Sequence, residues 1–327
     1  MPQPTSADVL FSEPLQNMSV AYMQDNPNDF VADKVFPNIE VDIQAGVYLT
    51  YDREAWLRDE AKRRAPGTAS EGSGYKVDFN SKYYCEPYAF HKDIDAQIRA
   101  NSRKWMDMDR DATAFVTRKL LIKRDVIWAG AYFISGVWGL DILGVASGPS
   151  TNQVLAWNKA NSTPIEDIQL QLTRIAQQTG FTPNTLVLTP DVFNALRNHA
   201  EIIYRIVYTQ RGVVTAEILA SLIGVDRILI PSGIKNSAAE GEAASYGFIL
   251  GSGKALLVYA APAPGLLTVS GGYTFSWVGY LGASSAGTAM SSWFIPELKS
   301  TRVEGEIAFD CKVVAADLGV LFSGLVQ

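Results

Sequence analysis

Two cysteines and two histidines are all that this chain of 327 residues offers to thiolate and imidazole chemistry. Cys85 and Cys311 lie far apart with no C-x-x-C, which argues against a disulfide framework and a thiolate metal site; two buried free thiols are expected. A histidine metal centre or a Ser-His-Asp triad would have to use His91 or His199, and lone histidines are usually structural. Long apolar runs are also missing. None approaches the roughly 18 to 20 residues of a membrane span. The opening MPQPTSADVLFSEPL lacks a basic stretch followed by an apolar one, so neither a span nor a standard secretory leader is expected.

Bases are scarce at the start of the chain. Asp8, Glu13, Asp25, Asp29, Asp33, Glu40 and Asp42 face only Lys34, which accounts for the whole net charge of −6. Tight nucleic-acid binding needs clustered Lys and Arg, so this arm is expected to repel DNA. Its Asp25, Asp29 and Asp33 are expected to receive a basic partner segment by complementary charge.

What is present is the composition of an ordered globular protein, 47% hydrophobic and 19% charged with 26 glycines, and the length suggests two lobes. The first forty or so residues show no sustained period and read as an extended arm. Val47, Leu49 and Tyr51 alternate, and so do Tyr75, Val77 and Phe79, which predicts a two-stranded ribbon. Between them, RDEAKRRAPGTASEGSGY is first charged and then small and flexible. A structureless loop of that size usually has a partner, and an isolated hairpin is marginal in water. The hairpin is therefore expected to leave its own subunit. Arg58, Asp59, Glu60, Lys62, Arg63 and Arg64 would form the inter-subunit contact, with the bases on a neighbour's carboxylates.

A helix is predicted from about Asp107 to Trp128, with acids early and bases late as the helix dipole favours. DMDRD within it is not a calcium loop, because position six is Ala112 and position twelve is Arg118. Thr163-Pro164-Ile165-Glu166 has the spacing of a capping box opening a helix that ends at Gly180. TLVLTPDVFNAL reads as strand then helix with Thr189 as cap, and TAEILASLIGVDRILIPSG as helix then strand. GFILGSGKALLVYAAP reads as two strands around a turn. From Val303, strict alternation through Ala315 predicts a long strand. The fold class is α+β.

No motif argues for catalysis or a cofactor. Gly251-Ser252-Gly253-Lys254 resembles the tail of a phosphate loop, but Phe248 stands where the first glycine belongs, Ala255 where Ser or Thr belongs, and a strand follows instead of a helix. Gly282 to Ala286 falls one residue short of G-x-S-x-G and lacks its strand-turn-helix setting.

The order of acidic arm, charged hairpin, long helix, α+β lobe and returning strand resembles the major capsid proteins of tailed bacteriophages, the Hong Kong 97-type fold. FVADKVFPNIEVDIQAGVYLTYD, RDEAKRRAPGTASEGSGY, YYCEPYAFHKDI, NTLVLTPDVFNAL and IEDIQLQLTRIAQQTG are similar to stretches of one such family. The resemblance implies an N-arm at 1–46, an E-loop at 47–85, a peripheral domain with its spine helix at 86–150, an axial domain at 151–298 and a peripheral strand at 299–327. It implies a structural subunit that self-assembles through hexamers and pentamers into an icosahedral virion shell enclosing double-stranded DNA, without sequence-specific binding and without a membrane. Family-like sequence begins by Phe30, so a separate scaffolding protein is expected, with a portal and, in some shells, a decoration protein; assembly would take place in the host bacterial cytoplasm. An encapsulin-like nanocompartment shares the fold and is the alternative. A nucleotide-dependent enzyme using the GSGK turn is a third reading.

Overall fold

The computed structural model describes residues 29–51, 53–101, 107–206, 214–265, 267–281 and 288–327. Two sheets organise these residues.

The first is built on the strand Ser300–Val313. Glu86–Asp95 pairs along one side of it; Thr288–Ile295 and Gly272–Trp277 share the other, and Asn38–Val41 runs parallel to Gly272–Trp277 at the edge. Val303, Ile307 and Phe309 are buried on one face, as period-two alternation predicts for the side a helix covers, while toward the strand's end Ala308, Tyr273 and Phe275 are buried on the other face as well. The cover is the helix Met108–Tyr132, whose 25 residues span about 37 Å. Asp107 caps it by accepting the N–H of Arg110 at 3.1 Å. Ala112, Val116, Leu120 and Trp128 face the sheet. Gly305 lets the helix approach: a Cβ there would lie 2.7 Å from Val116, Leu120 and Met290 side-chain atoms.

The second sheet has six strands in the order Arg227–Leu229, Thr185–Leu188, Ala255–Val258, Gly319–Ser323, Leu140–Val145, Gln153–Leu155. TLVL and ALLV do not alternate, because both faces are buried. Leu186, Leu188, Leu257 and Phe322 pack on the helices Pro164–Thr179, Pro190–Arg197 and Ala216–Ile223. Val187, Leu256, Val258 and Leu321 pack on Phe36, Trp128, Tyr132 and Trp138. The end of the long helix thus joins the two lobes through one aromatic cluster.

Several expectations change. The long helix continues past Trp128 to Tyr132. Leu140–Val145 and Gly319–Ser323 belong to the six-stranded sheet, and Gly272–Trp277 and Thr288–Ile295 to the sheet built on Ser300–Val313, so the expected boundaries at 150, 298 and 299 cut across both sheets. The chain crosses between lobes wherever long-range pairing takes it. Thr163 makes no capping hydrogen bond, although Pro164 opens the helix and Gly180 closes it at φ 78°. Thr189 does not cap either; its hydroxyl donates to the Lys254 carbonyl at 3.0 Å. The strand before the GSGK turn pairs with Ile234–Asn236 instead of Ala255–Val258.

Candidate functional site: an exposed hairpin and an anchored arm

The expected ribbon forms as two short ladders. Ala45–Val47 pairs with Lys82–Tyr84, and Thr50–Tyr51 with Val77–Asp78. Beyond them a single helical turn, Arg53–Trp56, leads into a tip without regular structure. Arg53 ties its base to Asp317 at 2.9 Å. Farther out, Tyr51, Trp56 and Tyr75 form ring contacts with one another among the described residues, with centroids 5.4 to 6.2 Å apart. Trp56 remains 55% exposed, Leu57 63% and Phe79 63%. Alternation located Tyr51 and Tyr75; Trp56, inside the charged run REAWLRDE, was the missed member. A tryptophan among charges was the signal.

The six charged residues singled out in the tip lie on this one segment but not in one cluster. Arg58 pairs with Glu60 at 3.2 Å, and Lys62 with Glu71 at 2.8 Å. Hydrogen bonds from Ser73 and Arg58 hold the Glu60 carboxyl below its ordinary range. Arg64 donates through Nε to the Thr68 carbonyl at 2.5 Å. Arg63 and Asp59 have no partner among the described residues. Exposed pairs of this kind are worth about 0 to 1 kcal/mol and exchange partners readily.

The arm behaves differently. Asp25 lies outside the described residues. Asp29 is buried: its carboxylate accepts the Ser232 hydroxyl at 2.7 Å, and its carbonyl accepts the Gly233 N–H at 3.0 Å. Asp33 is ion-paired to the buried Arg124. The expectation that Asp29 and Asp33 present a receptive acidic surface is therefore corrected: Asp29 is buried, and Asp33, though exposed, is paired within its own subunit. Val31, Ala32, Val35 and Phe36 are buried, on the spacing of one helical face. Phe36 sits against Tyr132 at 4.6 Å. Asp125, on the long helix, accepts the N–H of Val31 at 3.0 Å and of Ala32 at 2.9 Å. Burial pushes its carboxyl up to about 6, against the pull of those two N–H groups. Arg227 donates to the Val35 carbonyl at 2.9 Å.

The remaining polar candidates are held internally. Cys85 and Cys311 are free and buried, and desolvation pushes both thiols up to about 12. His91 lies opposite Glu304 in the peripheral sheet. His199 Nδ1 accepts the Glu201 N–H at 3.3 Å, so Nε2 carries the proton and donates to the Ser162 hydroxyl at 3.0 Å. Ser162 in turn donates to the Lys159 carbonyl at 2.7 Å. This polarity is the reverse of a base drawing a proton from serine. A shallow groove of about 520 Å³ beside it is lined by Asp191, Asn194, Asn198 and His199 among others. In the GSGK turn, Gly253 N–H donates to Asp191 at 2.6 Å, and Lys254 Nζ donates to the Phe133 carbonyl at 3.0 Å, tying the turn to the end of the long helix. Gly282 to Ala286 lie outside the described residues. Among the described residues no group of His, Cys, Asp and Glu is arranged to hold a metal ion, and no helix is long and apolar enough to cross a membrane.

Residues 151–229, which include three strands of the six-stranded sheet, match the family described as phage major capsid protein E. The major capsid protein of Burkholderia phage BcepMu is 20% identical over 224 residues, covering 67% of this chain and 68% of that protein. Over these stretches the chain is similar to phage major capsid proteins. Solved structures agree on the fold. A phage-related protein from Bordetella bronchiseptica superposes with a TM-score of 0.69 at 20% identity, covering 91% of this chain and 92% of its own. The capsid of cyanophage P-SCSP1u gives 0.60 at 11% identity, with 94% and 90% covered. The fold is the Hong Kong 97 type. An encapsulin from Synechococcus elongatus shares it at a TM-score of 0.51 and 11% identity, over 96% and 95% of the two chains.

Proposed function

We propose that this chain is a phage major capsid protein that assembles through hexamers and pentamers into an icosahedral shell enclosing double-stranded DNA. In that shell the hairpin at 47–85 docks on a neighbouring copy. The observation that carries this reading is the apolar hairpin itself: Trp56, Leu57, Tyr75 and Phe79 are all more than half exposed. An exposed apolar patch of this kind marks an interaction site, and the subunit contact should exceed a standard interface of about 1,600 Å². The exposed pairs at Arg58, Glu60 and Lys62 can re-pair with a neighbour at little cost, and Arg63 and Asp59 need no pair broken.

The role is structural and not enzymatic in this reading. That is supported by the internal use of Lys254, by the His199 to Ser162 polarity and by two strongly desolvated thiols. A separate scaffolding protein and a portal would take part in assembly in the host cytoplasm, with a decoration protein in some shells. Since Asp29 and Asp33 are engaged, any basic scaffold segment would bind elsewhere.

Electron microscopy of the expressed chain, with and without its scaffolding protein, tests the proposal. Wild type should give closed shells, and Trp56→Ser with Tyr75→Ser should leave folded, unassembled subunits. Shells unaffected by the double change would refute the hairpin's role. The encapsulin-like alternative has the shared fold in its favour; particles that carry a protein cargo and no DNA would establish it instead.

A further inference from the structure

The peripheral lobe has two faces of opposite charge. Along the helix face, Lys92, Lys119 and Lys123 rest on aromatic rings: Lys92 and Lys119 lie 5.2 and 5.4 Å from the Phe115 centroid, and Lys123 lies 5.0 Å from that of Tyr88. Arg118 joins them over Phe30 at 5.7 Å. None of the three lysines pairs with a carboxylate among the described residues. The helix carries no acid from Thr113 to Arg124; Asp125 beyond them is buried on backbone N–H groups, and Asp33 is taken by Arg124. The opposite face of the sheet is acidic. There Arg302 is held by Asp93 at 2.7 Å and Lys312 by Asp310 at 3.3 Å, which leaves Glu304 and Glu306 without an ion pair among the described residues.

We infer that the helix face, through Lys92, Lys119 and Lys123, is the surface that meets the phosphate backbone of the enclosed duplex DNA. This rests on the shell reading. A shell one subunit thick has an inner and an outer surface, and the two faces of this lobe are not equivalent toward a polyanion. Duplex DNA carries one negative charge per about 1.7 Å. Against the sheet face it would meet carboxylates whose neighbouring bases are already occupied. Against the helix face it meets three lysines with no ion pair among the described residues, while Glu86 on that face is engaged by the Tyr88 hydroxyl. The rings beneath them limit the conformational freedom of the lysines while leaving Lys119 and Lys123 exposed. Nothing on this face reads bases, so the contact is sequence-independent.

The test uses full-length subunits, a labelled mixed-sequence DNA duplex of about 25 base pairs and fluorescence anisotropy at two salt concentrations. Three phosphate contacts predict a log–log salt slope near −2.7, roughly a 40-fold loss of affinity between about 50 and 200 mM salt. Lys92→Gln with Lys119→Gln and Lys123→Gln should flatten that slope and weaken binding at low salt at least about tenfold, while Glu304→Gln with Glu306→Gln should not weaken it. Unchanged binding in the triple variant overturns the inference. Lost assembly with unchanged DNA binding also overturns it, and makes the strip a seat for an acidic protein segment.

A second measurement needs no variant. Amine acetylation of wild-type particles should protect Lys92, Lys119 and Lys123 in DNA-filled shells relative to empty ones, and equal labelling is the refuting result. If wild type forms no shells yet binds duplex through these lysines, the shell reading fails and the strip stands.

Discussion

Replacing Asp125 by alanine tests how the arm is held. Asp125 is 1% exposed and accepts two backbone N–H groups, from Val31 and Ala32, which are themselves buried. Leaving each N–H unpaired costs about 1 to 3 kcal/mol, so about 2 to 6 kcal/mol is lost from this source. The charge of the carboxylate works in the other direction. Its folded value of about 6 lies above the ordinary 3.8, so the folded state holds the proton more tightly than the unfolded one. The wild-type contribution is therefore greatest below about pH 4 and declines as pH rises through about 6, by about 3 kcal/mol in all. A protonated Asp125 still accepts both N–H groups through Oδ1, which lies 2.9 Å from Ala32 N and 3.3 Å from Val31 N. Asp125→Ala lacks this titration. Its destabilisation should be larger at about pH 5.5 than at about pH 7.5, by about 1 kcal/mol.

Urea unfolding followed by tryptophan fluorescence reads the effect, because Trp128 lies 6.4 Å from Phe36 of the arm. A destabilisation under about 1 kcal/mol would refute the anchoring argument. One that shrinks on acidification would refute the electrostatic part.

Three further outcomes follow from packing and burial. Gly305→Ala should destabilise by about 1 to 3 kcal/mol in thermal unfolding, since its Cβ would meet Val116, Leu120 and Met290 at 2.7 Å. Lys254→Ala should cost about 1.5 to 3 kcal/mol by freeing the Phe133 carbonyl, with no change in nucleotide binding by titration calorimetry. Cys85 and Cys311 should react with a thiol reagent at about pH 8 at least about a hundredfold more slowly in the native than in the denatured chain, as burial suppresses their thiolates.

Local pattern revealed the elements whose environment is local. Val303 to Cys311 alternate because one face alone meets the helix, and Pro164 to Gly180 carry their own start and stop. The division into lobes was not legible, because it depends on pairings such as Gly272–Trp277 with Asn38–Val41, distant in sequence and weak in local signal. The arm was misread for a different reason. Val31, Ala32, Val35 and Phe36 have the spacing of one helical face, but the acids around them dominated the reading. Only the structure shows that Asp33 meets Arg124 and Asp29 meets Ser232.

Arm and hairpin obey one rule with opposite results. The arm supplies four apolar side chains within six residues, and an aromatic cluster in its own subunit receives them. The hairpin supplies Tyr51, Trp56, Leu57, Tyr75 and Phe79, but the charged run around Trp56 and the small residues beyond it give these groups no core to complete. Half-exposed rings of this size leave about 400 Å² of apolar surface in water, which on burial is worth on the order of 10 kcal/mol before ordering costs. That exceeds what the exposed ion pairs of the tip contribute by an order of magnitude. In the proposed docking the apolar groups would therefore set the strength and the charges the register. In the proposed shell this would also order the events: a subunit can fold with its arm in place, and the hairpin would gain its stabilisation when a neighbour arrives.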